Sequence, residues 1–352
     1  MEKYVRNGKI DLLKFLFSIM VIVFHFNKHL YNYDFCQRGY IAVEFFFVTS
    51  GFLFAKSLAK IPCRQETLFQ DSVGFMKKKF FSFFPYHLFF FIACFVFVIV
   101  QKHFSVGSSF VYLLQCIPDL LILQMGGISH MSPMRYEWYI SAMLIVMFVL
   151  TPLIIRFRKA FLYFIAPILF VGILGLIYHE KNALNLASDW NGFCYWGVLR
   201  AVSELSLGCL CYVIHERQVL KAVPKPILYL TEPALYLIIF LYGSKVLPDM
   251  NDFAILFIAA IAVTLSFDDR TSIPLFNNRF VYFLGKLSFP VYLSQLLVIE
   301  TMKCLPFPDS AVTHTLIYIG TVLLVSLLCI LITDNIQKLL KKIPFHKAST
   351  HR

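Results

Sequence analysis

Lys14 and His25 stand eleven positions apart in one apolar run, IDLLKFLFSIMVIVFHF. At 3.6 residues per turn this is just over three turns, so a helix would carry both on one face. Their separation along the axis would be about 16 Å at a rise of about 1.5 Å per residue. Asp11 and Ser18 fall near the same stripe. An imidazole can take a proton near neutral pH, and a lysine can hold an anionic group as a point charge. The structural alternative is an Asp11–Lys14 pair at i,i+3 that snorkels to water, with His25 simply packed.

Other ionisable or hydroxyl groups also interrupt apolar runs, where they are costly and therefore candidates for function. Arg200 and Glu204 are spaced i,i+4 and either neutralise each other or orient a polar cavity. Glu44 is followed by Ser50 and Gly51, and the glycine lets another helix approach closely. Trp138 and Tyr139 open an apolar run, as an aromatic belt would, and Ser141 follows on the next turn. Lys77, Lys78 and Lys79 lead into a Phe-rich run containing Pro85 and His87. They serve either as an orientation signal or as a site for a cytoplasmic phosphate. His87 either lines a polar path or packs. Glu232 and Glu300 are expected to be structural. The nine cysteines show no CxxC and no metal spacing, so neither a disulfide framework nor a metal centre is expected.

The elements that must position these groups follow from composition. The chain has 352 residues, of which 59% are hydrophobic and only 15% charged, and its mean hydropathy is +0.72. Soluble domains run at about 45–50% apolar and about 25% charged. The reading is an all-α polytopic membrane protein in a lipid bilayer. Ten stretches can span: 10–27, 40–55, 80–100, 137–155, 160–178, 193–214, 227–244, 253–267, 280–302 and 312–333. An eleventh apolar stretch, 110–125, contains Pro118-Asp119 and is expected to be re-entrant or interfacial. Asp11 and Lys14 within the first run, with no small-residue cleavage site after it, mark that span as retained. The chain is expected to form one transmembrane domain over 1–352, with spans between 10 and 333 and a basic tail from 334 to 352.

The net charge of +12 then becomes an orientation signal. With the N-terminus inside, inside segments hold 22 of the 32 Lys and Arg and outside loops hold 7. The clusters Lys77–Lys79, Arg156–Lys159 and Lys338–Lys342 all fall on one side. N-in and C-in is expected, and no nucleic-acid partner.

In this order the segments resemble the acyltransferase-3 family of integral membrane acyltransferases. Asp11-Leu12-Leu13-Lys14 through His25 is similar to its first helix, with Lys14 where Arg is usual. Val43-Glu44-Phe45-Phe46-Phe47-Val48-Thr49-Ser50-Gly51-Phe52 resembles the end of its second. Lys79 and Pro85 match an R-x-x-R-x-x-P-like motif in which Ser82 replaces the second Arg. Trp138-Tyr139-Ile140-Ser141 is similar to a W-[FY]-x-S entry, and Arg200 with Gly208 to a later segment. Gly285 through Gln295, which includes Ser288 and Tyr292, resembles a G-x-x-S-[YF]-x-x-Y-L-x-H segment with Gln295 in place of His.

The resemblance implies transfer of an acyl group, usually acetyl, from cytoplasmic acyl-CoA to a hydroxyl of an envelope carbohydrate, in the bacterial plasma membrane. Acetyl-CoA is then a donor substrate, and no cofactor is held permanently. On this reading Lys14, Lys77, Lys78 and Lys79 hold the donor's phosphates. Asp11 fixes Lys14, His25 is either general base or acyl carrier, and Tyr139, Ser141 and Arg200 are the candidate donors to the oxyanion. A separate extracytoplasmic transferase is a further expected partner, unless the chain acts alone. The competing reading is a carrier or flippase for a glycan or lipid-linked sugar without covalent chemistry.

Overall fold

Within a bilayer no water is available to backbone N–H and C=O groups, so a long apolar run must close its own hydrogen bonds as a helix. All ten apolar stretches are helical in the computed structural model, which describes residues 6–30, 35–128, 132–305 and 310–342. Among these residues there are twelve α-helices and no β-strand. They are α1 Gly8–Leu30, α2 Ala42–Leu58, α3 Leu68–Gln101, α4 Val106–Gln115, α5 Ile117–Leu120 and α6 Trp138–Ala160. There follow α7 Ala166–Lys181, α8 Trp196–Glu216, α9 Lys225–Gly243, α10 Asp252–Ser266, α11 Arg279–Met302 and α12 Ala311–Lys342. The end of the basic tail, 343–352, lies outside the described residues.

Eight helices among the described residues are long and apolar enough to cross a membrane. This differs from the ten expected crossings at two places. Arg135–Lys181 forms one apolar run of 47 residues. A straight helix of that length would reach about 70 Å, more than twice a hydrocarbon core of about 30 Å. The run leaves helical geometry at Phe157 (φ −122°, ψ 41°) and passes through a π-helical turn at Phe161–Ile165. Both of its halves pack on α8. The second difference is α10, which has 15 residues and is too short to count by length, although it packs against α2, α8 and α9. The interfacial expectation for 110–125 corresponds to α4, α5 and a 3-10 turn at Gln124–Gly126. Pro118 starts α5, and Asp119 is buried.

Two contacts position the candidate residues. α1 lies along α11, and α2 lies along α8. The second pair meets at glycines. A Cβ on Gly51 would stand 2.2 Å from the Leu205 carbonyl oxygen, and one on Gly208 would stand 2.3 Å from that of Val48. Backbone cannot yield as a flexible side chain can. Gly208→Val is therefore expected to cost at least the 1–3 kcal/mol typical of overpacking, about 3 kcal/mol or more here. A purified variant with the parent's melting temperature would refute this.

Candidate active site

The polar stripe of α1 meets α2, α3, α6 and α11 at a cavity of about 210 Å³. α1 contributes Lys14 and Ser18, one turn apart, and the Ser18 hydroxyl donates to the Lys14 carbonyl at 2.8 Å. α2 contributes Phe46, Ser50 and Leu53, and α3 contributes Lys79 and Phe83. α6 contributes Tyr139 and Met143, and α11 contributes Ser288 and Tyr292. The Ser50 and Tyr139 hydroxyls lie 3.0 Å apart. The Ser288 hydroxyl donates to the Gly285 carbonyl at 2.8 Å.

Lys14 and Lys79 are the charged side chains lining this cavity. Neither is bonded to a carboxylate among the described residues. Lys79 rests its ammonium over the Phe83 ring, 5.3 Å from the centroid. Asp11 does not clamp Lys14 as the i,i+3 spacing suggests. It is bonded to Arg6, just before α1, so its charge is spent at the end of the helix. Two like charges without a counter-ion in a mostly apolar enclosure are expensive unless an anion joins them.

His25 does not line that cavity. Its ring is stacked on Tyr136, with centroids 4.3 Å apart, and its Nδ1 is buried with no hydrogen-bond partner. The connection runs through Tyr292, which lines the cavity and donates its hydroxyl to the Tyr136 carbonyl. Tyr136 also bonds to His29 Nε2 through its hydroxyl. Tyr139 and Tyr292 meet edge to face at 6.3 Å. A tyrosine layer therefore stands where the stripe from Lys14 reaches His25.

The remaining candidates are placed elsewhere. Successive residues on a helix point about 100° apart, so of the three lysines only Lys79 reaches the cavity. Lys77 borders an apolar groove of about 540 Å³, and Lys78 is exposed. Arg200 and Glu204 are not an isolated pair. Arg200 donates to Glu44 at 2.5 Å, to Glu204 at 3.1 Å and to the Leu186 carbonyl at 2.9 Å, all fully buried. Arg200 also sits 5.3 Å over the Trp138 ring. This cluster joins α2 to α8 and does not line the cavity. Ser141 accepts the Met125 N–H at 3.0 Å and so anchors the segment after α5. Of the three candidate oxyanion donors, Tyr139 alone lines the cavity.

Two buried ion pairs escape sequence reasoning. His87 meets Glu137 at 2.7 Å, so His87 packs within an ion pair. Lys9 is held by both Glu232 oxygens at 2.8 and 2.7 Å and by Thr271. Their partners lie far apart in the chain, so local spacing carries no signal. Among the described residues no cluster of His, Cys, Asp and Glu could hold a metal ion.

Residues 7–333 match a family model described as an acyltransferase domain. No curated protein and no solved structure matches the chain. With its apolar helices and a polar stripe running from a two-lysine cavity to a half-buried histidine, the chain belongs to this family of membrane acyltransferases.

Proposed function

We propose that this multi-pass acyltransferase moves an acetyl group from cytoplasmic acetyl-CoA to a hydroxyl of an envelope carbohydrate in a bacterial plasma membrane. The observation that carries the reading is the pair Lys14 and Lys79 in one cavity, bonded to no carboxylate among the described residues. A donor bearing phosphates supplies the missing counter-charge. Ser18, Ser50 and Ser288 add polar edges that suit the amides of the donor's arm, and the aromatic walls suit its alkyl stretches.

In the proposed step His25 is the base. An imidazole nitrogen takes the proton of the acceptor hydroxyl while its oxygen attacks the thioester carbonyl. The C–O bond forms and the C–S bond breaks. The departing thiolate then takes the proton, leaving CoA and an ester. Tyr139 is the cavity's candidate donor to the oxyanion.

The test uses purified protein in vesicles with labelled acetyl-CoA. Lys79→Ala is expected to raise the KM for acetyl-CoA about tenfold, equivalent to about 1.4 kcal/mol. Lys77→Ala and Lys78→Ala, which point elsewhere, leave it unchanged. Equal effects at all three positions would reduce the cluster to an orientation signal and remove the donor site from the cavity.

A further inference from the structure

A second cavity, of about 570 Å³, lies at the other end of the bundle from Lys14. We infer that it is the binding site of the acceptor, and that it takes a glycosyl unit. The inference rests on the transfer reading above and names that reaction's second substrate site.

Its volume falls within the roughly 300–1,000 Å³ of small-molecule sites. Gln124 lines it, is only 7% exposed, and neither its amide nitrogen nor its amide oxygen has a hydrogen-bond partner. A buried amide left so is costly. A sugar hydroxyl both donates and accepts, so one or two of them satisfy both ends of that amide. Gln101, at the end of α3, adds a second amide to the wall. Trp138 and Tyr195 supply aromatic surface, each ring having an apolar body and a polar tip. A pyranose, with an apolar C–H face and a polar rim, matches that combination. Lys102, Arg135 and Glu300 also line the cavity, and Arg135 pairs with Glu300 at 2.9 Å, so the wall offers charged donors beside a carboxylate acceptor. The lysine cavity differs in having no carboxylate among its described lining residues.

Position supports the same assignment. One short segment serves both cavities. Trp138 faces this one, Tyr139 faces the lysine cavity, and Tyr136 carries the stacked His25. The base thus stands where the two sites approach each other.

Binding is read by tryptophan fluorescence of the full-length protein in nanodiscs, titrated with methyl glycosides of glucose, galactose, N-acetylglucosamine and rhamnose. At least one is expected to saturate the parent. Gln124→Ala and Gln101→Ala are each expected to weaken that glycoside about tenfold, with acetyl-CoA binding unchanged. Gln101 is exposed, so its variant carries the test if Gln124→Ala does not fold. The inference is overturned if no glycoside saturates the parent, if the folded variants bind as the parent does, or if native mass spectrometry finds a phospholipid that glycosides do not displace. Glycoside binding without any transfer from acetyl-CoA would leave the sugar site standing and sink the acyl-transfer reading.

Discussion

His25→Ala is expected to lower acyl transfer by about 10²–10⁴-fold, the range that a positioned acid–base group supplies, while acetyl-CoA still binds. The separation follows from the geometry. His25 stacks on Tyr136 and lies outside the cavity that holds Lys14 and Lys79, so its loss removes the proton acceptor and spares the proposed anion site. The variant is expected to fold, because the ring is partly exposed and its Nδ1 bonds to nothing. Two measurements check this. One is label transfer in vesicles, with the KM for acetyl-CoA determined separately. The other is mass spectrometry of O-acetyl esters on the host's envelope glycan. Normal ester content in a membrane-inserted variant sinks the assignment. Label retained on the parent in the absence of acceptor, and missing from His25→Ala, would replace the general base by an acyl-histidine relay.

Arg200→Leu is the second large effect, and it concerns folding. Arg200 is the one guanidinium between Glu44 and Glu204, all three fully buried, and it also serves the Leu186 carbonyl. Removing it leaves two carboxylates facing each other in an apolar interior. Breaking a buried pair costs about 3–5 kcal/mol, enough to exhaust most of a domain's stability. The expected result is a broad or absent size-exclusion peak. Glu204→Gln is expected to be mild, because it leaves a balanced Arg200–Glu44 pair. Glu44→Gln falls between the two, since its bond is the shorter, 2.5 Å against 3.1 Å. If Arg200→Leu melts like the parent yet transfers nothing, the cluster belongs to the chemistry and not to the frame.

How much of this was legible in the sequence depended on whether the signal was local. Every apolar stretch became a helix because burial of the backbone in lipid leaves no other choice. The Lys14 and His25 spacing was legible as one helix face. The tyrosine layer between them was not, because Tyr136 and Tyr292 come from distant segments. Lys79 stood out from Lys77 and Lys78 only by its place in the R-x-x-R-x-x-P-like motif, because which of the three faces α1 depends on the rotation of α3. Arg200 with Glu204 was visible at i,i+4, but Glu44 joins them from 156 positions away. The Asp11–Lys14 pairing failed because Arg6 competes from the residues just before α1. The break between α6 and α7 was legible from Arg156, Arg158 and Lys159, although the chain makes it with one non-helical residue and a π turn instead of a loop.

The tyrosine layer has a consequence for the bilayer itself. A path from the lysine cavity to the far one, if open, would be a wet pore lined by cations and would discharge the membrane potential. Each elementary charge crossing 100 mV releases about 2.3 kcal/mol. Tyr292 fastened to the Tyr136 carbonyl, and His25 stacked on the Tyr136 ring, set aromatic side chains beside the lysine cavity. Substitutions that loosen this contact are therefore expected to appear as leak current before they appear as lost turnover.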